Sequence, residues 1–122
     1  MMKNENIILT KTFEFALNVI SFSEELEPLR KFVISKQILR SGTSIGANVR
    51  EAQNAESKKD FIHKMKIAAK EAEEHEYWFD LCKFSENYPF NENLLLELKV
   101  IQKILTKIIG TSKKKVIDTS AN

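Results

Sequence analysis

The chain has 122 residues, 43% of them hydrophobic and 30% charged, with a formal net charge of +2. That length holds one domain with one modest core, and no stretch approaches the roughly 20 consecutive apolar residues of a membrane span. A single cysteine, Cys82, excludes an internal disulfide, and the start Met1-Met2-Lys3-Asn4-Glu5-Asn6 lacks an apolar export signal, so a soluble cytoplasmic protein with a buried, inert thiol is expected.

Only 3 Gly and 2 Pro interrupt the chain, which permits long helices. The first is expected from about Thr10 to Glu25, with Leu9, Phe13, Ala16 and Ile20 spaced 4-3-4 along one face. Glu24, Glu25 and Glu27 close it poorly, because carboxylates oppose the negative end of the helix dipole. Pro28 suits the first turn of the next helix.

In the second segment Ile34, Ile38, Ser41, Ile45, Asn48, Ala52 and Ala55 keep a 4-3-4-3-4-3 rhythm. That rhythm crosses Ser41-Gly42-Thr43-Ser44-Ile45-Gly46-Ala47-Asn48, which propensity alone reads as a loop. Each interior glycine costs a helix roughly 1 kcal/mol relative to alanine. A break would still have to preserve the apolar phase by accident, so one helix is expected, with an interruption at Gly42 as the competing reading. The small residues give a packing reason for both glycines, since they let a neighbouring backbone come close.

Ser57-Lys58-Lys59-Asp60 reads as a capping box that opens a third helix with Ser57 at the N-cap and Asp60 at N3. Phe61, Met65, Ala68, Ala72, His75, Phe79 and Cys82 then repeat the seam to about Ser85. Ile62, Ala69, Trp78 and Leu81 lie off it, so this helix has more than one covered face, as in a central helix or a subunit interface. Asn87-Tyr88-Pro89-Phe90-Asn91 is a turn, with Asn91 as N-cap of the last helix. There Leu94, Leu98, Ile101, Leu105 and Ile108 form the seam, and Gly110 reads as the C′ stop. The expected fold is an all-α, antiparallel up-down four-helix bundle over residues 1–110, with a basic, disordered tail over 111–122.

Nothing in this pattern points to catalysis, a metal or a cofactor. His63 and His75 are the only histidines and both lie on the third segment, about 120° apart around the helix, so they cannot share an ion. His75 reads as a hydrogen-bonded core or interface residue. Glu71, Glu73, Glu74 and Glu76 are too dense on one helix to be anything but largely solvated, with Glu71 and Glu74 placed to meet basic residues of a neighbouring helix. Gly42-x-x-x-Gly46 is a packing motif and makes no phosphate loop. Asn48 on the seam needs a hydrogen-bond partner and is expected to fix register or oligomer state.

Charge is segregated along the chain. Residues 58–70 carry five lysines against Asp60, whereas residues 71–80 carry four glutamates and Asp80 with no basic residue. Lys36, Arg40 and Arg50 fall within about 80° on the second helix, and Lys59, His63, Lys66 and Lys70 share a stripe on the third. As neighbours, the two helices would present one positive face, and contacts of this kind accumulate affinity for a polyanion phosphate by phosphate. The competing reading is that these cations only solubilise exposed helix faces.

The stretch Arg40-Ser41-Gly42-Thr43-Ser44-Ile45-Gly46-Ala47-Asn48-Val49-Arg50-Glu51-Ala52, with Glu56-Ser57-Lys58-Lys59-Asp60-Phe61-Ile62-His63-Lys64-Met65 and Glu76-Tyr77-Trp78, resembles the bacterial four-helix-bundle family encoded in intervening sequences of 23S ribosomal RNA. The resemblance extends from about Phe13 to Ile109, although many members have proline where Gly46 stands. It implies a bundle that assembles into a ring, a homopentamer, without known enzymatic activity. The chain is also similar to the accessory subunit of diversity-generating retroelements, a related pentameric bundle that binds RNA and a reverse transcriptase through basic surfaces. Arg40, Asn48, Ser57, Lys59, Asp60 and Phe61 match the family's pattern.

The expected protein is thus a homo-oligomer without enzymatic activity, cofactor or metal that binds structured RNA. Lys36, Arg40, Arg50, Lys59, Lys66 and Lys70 are the expected nucleic-acid contacts. Ser41, Asn48, Ser57, Asp60, Phe61 and His75 are the expected structural residues. The alternative is a structural or adaptor protein that docks a protein partner.

Overall fold

The structure is a computed structural model that describes residues 4–121, with side chains described over 7–117. Met1 to Lys3 of the expected start, and Asn122 of the expected tail, lie outside the described residues. Four helices follow in order: α1 Asn4–Leu26, α2 Phe32–Ala52, α3 Lys58–Phe84 and α4 Glu92–Ala121. Each packs on two others, α1 and α3 both lying against α2 and α4, so the described residues form an all-α four-helix bundle. Register shows that α1 and α2 run in opposite directions. The Ser35 hydroxyl donates to the Ser23 carbonyl at 2.8 Å, Gly42 meets Val19, and Gly46 meets Thr12.

The glycine-rich stretch is helical throughout, and no interruption occurs at Gly42. A Cβ on Gly42 would lie 2.7 Å from Val19 Cγ1 and 2.9 Å from His75 Cε1, so α1 and α3 both close on this point. A Cβ on Gly46 would stand 3.3 Å from the Thr12 carbonyl oxygen. Close packing therefore offsets the helix propensity lost at both positions.

The seams of α3 and α4 fall where the sequence places them. Met65, Ala68, Ala72, His75, Phe79 and Cys82 are buried, Phe61 is half-buried, and the α4 seam from Leu94 to Ile108 is buried throughout. Phe22 and Phe79 meet edge to face at 5.5 Å across the core. Each phenylalanine so buried contributes roughly 1.5–3 kcal/mol. Ser57 caps α3, its hydroxyl accepting from the Asp60 N–H at 3.0 Å, while the Asp60 carboxylate accepts from Glu56 N–H at 3.2 Å. Asn91 Oδ1 accepts from Leu94 N–H at 3.1 Å and starts α4.

Three expectations need correction. The core seam of α1 is Ile8, Thr12, Phe15, Val19, Phe22 and Leu26; Phe13 and Ile20 of the expected seam are exposed. Thr12 is tolerated in the core because its hydroxyl donates to the Ile8 carbonyl at 2.7 Å. Pro28 lies in the turn between helices, where Arg30 adopts φ 63°, and α2 begins only at Phe32. At the other end α4 does not stop at Gly110: it continues as helix to Ala121, and Ser112 and Val116 extend its half-buried side.

Candidate nucleic-acid interface

Six cations were expected to share one face of α2 and α3, and the structure divides them. On α2, Arg40 leans into the α2–α3 groove, where its guanidinium pairs with Glu71 at 3.1 Å and also with Glu74. Glu74 accepts a further hydrogen bond from the Trp78 indole at 3.1 Å. Arg40 is therefore engaged by the chain's own carboxylates. Arg50 turns toward α1 and sits 5.8 Å from the centre of the Phe13 ring. Lys36 is exposed near the start of α2.

On α3 the expected stripe is intact. Lys59, Lys66 and Lys70 are exposed on one side of the helix and make no ion pair with a described residue. The Lys113 ammonium lies beside Lys66, and together with Lys70 it lowers the Lys66 pKa below the ordinary lysine value. Positive charges held this close favour an anion. Lys113 was missed because Gly110 reads as a helix stop. The i, i+4 spacing Ile108, Ser112, Val116 is the signal that the helix carries on past the glycine; Ile108 is buried and the other two are half-buried. The positive surface thus spans α3 and α4 rather than α2 and α3.

The acidic run of α3 is mostly neutralised from both sides. Besides the Arg40 pairs, Glu76 is held by Lys99 and accepts from the Gln102 amide at 3.0 Å, which lowers its pKa. Glu73 and Asp80 are the two carboxylates of the run without such a partner among the described residues.

The residues assigned to structure are placed as follows. His75 is fully buried, with Nδ1 2.9 Å from the Ser41 hydroxyl. Because that hydroxyl also lies 2.8 Å from the Gln37 carbonyl and has one proton to give, the contact is satisfied when His75 Nδ1–H donates to it. Nε2 is then a buried acceptor without a partner, and burial pushes the imidazole pKa down to about 4. Asn48 is half-buried beside the seam rather than on it. Its amide donates to the Ser44 carbonyl of its own helix at 2.8 Å, and among the described residues it makes no hydrogen bond to another helix. Cys82 is buried, and burial pushes its thiol up to about 11, which leaves it unreactive. Among the described residues no group of three or more His, Cys, Asp or Glu is arranged to hold a metal, and no helix is long and apolar enough to cross a membrane.

A second surface was not anticipated. Leu9, Phe13 and Ala16 of α1 line a groove closed on the α2 side by Gly46 and Ala47, and Phe13, 52% exposed, continues on the outer side of α1 into exposed Leu17 and Ile20. Of the four residues expected to fill the core, Leu9 and Ala16 are half-buried at its edge and Phe13 and Ile20 are exposed.

Comparison with known proteins bears on this arrangement. The sequence profile of the 23S rRNA-intervening sequence protein family matches residues 4–107. The chain belongs to that family. A crystal structure from Bacteroides thetaiotaomicron VPI-5482, of a protein with unknown function from the S23 ribosomal protein family, is 43% identical and superposes with a TM-score of 0.84. The match covers 88% of this chain and 99% of that one. Comparison with curated proteins gives no match. The family segment ends at residue 107, so Lys113 and the last turns of α4 lie beyond it.

Proposed function

We propose that this protein is a cytoplasmic, non-enzymatic homo-oligomer that binds RNA through the cationic surface of α3 and α4. The observation that carries the reading is the cluster of Lys59, Lys66, Lys70 and Lys113, exposed cations from two helices that make no ion pair with a carboxylate of the described residues. Each cation that replaces a counterion on the nucleic acid adds to affinity, so the cluster gives a salt-dependent hold without base-specific contacts. Arg40 contributes little, because binding a phosphate would require it to leave Glu71 and Glu74. The open α1–α2 face supports self-association, since contiguous apolar surface of this kind marks a contact site.

The test is RNA affinity against salt for the wild type and for Lys66→Gln/Lys70→Gln. Steep salt dependence that becomes shallower in the variant is expected; affinity unchanged by neutralising both lysines rejects the reading. Oligomeric mass of Phe13→Glu/Leu17→Glu tests self-association separately, with a shift to smaller species expected. The competing reading, a protein-docking adaptor, draws on the same apolar face and predicts purified material free of RNA.

A further inference from the structure

The solvent side of α3 carries one stripe along nearly its whole length. His63, Lys70, Tyr77 and Phe84 follow one another at seven-residue intervals, and Lys59, Lys66 and Leu81 fall within about 60° of the same line. Every one of these residues is exposed. The first half of the stripe is cationic and the second half is aromatic, with Tyr77 58% and Phe84 82% open to solvent. The rings add little to this chain's core, because the opposite side of the helix already fills it with His75, Phe79 and Cys82.

The acidic run between the halves does not close the stripe to an anion. Glu71 and Glu74 are turned into the α2 groove by Arg40, and Glu76 is turned into the α4 groove by Lys99 and Gln102. Glu73 and Asp80 remain, on the flank toward α4.

We propose that this stripe is a track for single-stranded RNA, in which Lys59, Lys66 and Lys70 take phosphates and Tyr77 and Phe84 stack unpaired bases. The inference rests on the RNA-binding reading above and adds the form of the strand and the part played by the two rings. A duplex offers its phosphates to the lysines but keeps its bases stacked inside, whereas an unpaired strand offers both phosphates and base faces. Seven residues of helix rise set the two rings about 10 Å apart along the axis. That is roughly three base steps of 3.4 Å, so the rings take bases separated by a short spacer rather than adjacent ones.

Fluorescence anisotropy with a short labelled single-stranded RNA, and with the duplex that contains it, separates these roles. Tyr77→Ala and Phe84→Ala are each expected to weaken single-strand binding about fivefold or more while leaving duplex affinity unchanged. Lys66→Gln/Lys70→Gln weakens both. All four side chains are exposed, and circular dichroism verifies that the variants fold. Single-strand affinity unaffected by both aromatic variants, while the lysine variant still weakens binding, overturns the track and leaves the RNA-binding reading standing. Failure of the wild type to bind either RNA at low salt overturns both. A fall in oligomeric mass for Phe84→Ala also overturns the track, because the stripe would then be a subunit contact.

Discussion

Lowering the pH from about 7 to about 4 should cost the bundle stability through His75. Its imidazole is enclosed by Phe15 and Phe79, with ring centroids 5.4 and 4.5 Å away, and its polar contacts are with the Ser41 hydroxyl and backbone of α2. No charged group figures among the causes of its pKa, which burial holds at about 4 against an ordinary 6.5. As pH falls, the unfolded chain binds a proton through about pH 6.5, whereas the folded chain resists until about pH 4. Between those values the unfolded state carries more protons, so stability declines as pH drops. A gap of about 2.5 units at 1.36 kcal/mol per unit amounts to roughly 3 kcal/mol, of which about 2 is lost by pH 5. Urea unfolding followed by circular dichroism, at fixed protein concentration, measures it. His75→Leu keeps an apolar side chain at the site and removes the titration. Carboxylates such as Glu76 contribute their own loss near and below the ordinary carboxylate pKa, and that loss cancels in the comparison. Parallel stability curves for the two proteins between about pH 7 and pH 4.5 would refute the claim that the imidazole is held neutral.

Two glycines separate packing from propensity. Gly42→Ala drives a methyl against Val19 and His75, so overpacking of roughly 1–3 kcal/mol outweighs a propensity gain of about 1 and the protein loses stability. Gly110→Ala meets nothing within 4 Å in the middle of α4, and a gain of about 0.5–1 kcal/mol is expected from denaturant midpoints. Ser57→Ala removes the α3 cap and should cost about 1 kcal/mol in the same assay. Arg40→Gln, by freeing Glu71 and Glu74 rather than removing a phosphate contact, should reduce the salt slope of RNA binding less than Lys66→Gln; equal slopes would show that Arg40 leaves its carboxylates for RNA.

The seams of α2, α3 and α4 were legible because each is anchored at a point that only one phase satisfies. Ser57 and Asn91 fix where α3 and α4 begin, and Ile38, Ser41 and Ile45 carry the α2 phase through the glycines. Three features were hidden. Gly110 looks like a stop because its own propensity is poor, yet the helix continues through it, with Ser112 and Val116 half-buried one and two turns on from Ile108 and a long preceding helix to propagate from. The basic stripes of α2 and α3 were each readable, but their separation depended on which groove Arg40 enters, and that is set by Glu71 and Glu74 on a neighbouring helix. The spacing Ile108, Ser112, Val116 signals only that α4 continues past Gly110; that Lys113 then lies beside Lys66 is set by how α3 and α4 pack.

The misread seam of α1 has a physical cause that also bears on assembly. Leu9, Phe13, Ala16 and Ile20 keep a 4-3-4 rhythm, and so do Ile8, Thr12, Phe15 and Val19, so periodicity alone cannot say which turns inward. The choice is made on α2. Gly42 leaves a hollow that receives Val19, and Gly46 leaves one that receives Thr12, and the two partners follow in reverse order along α1 as antiparallel packing requires. A bulky Phe13 or Leu9 in the hollow at Gly46 would hold the helices apart, whereas branched Val19 and Thr12 fit them. Once the glycines select that seam, the other is left at the margin of the core, with Leu9 and Ala16 half-buried, Phe13 and Ile20 exposed, and Arg50 over the Phe13 ring. A helix that serves only its own core has no physical need of Phe13, Leu17 and Ile20 on its outer side, and that surplus is the observation on which the proposed self-association rests.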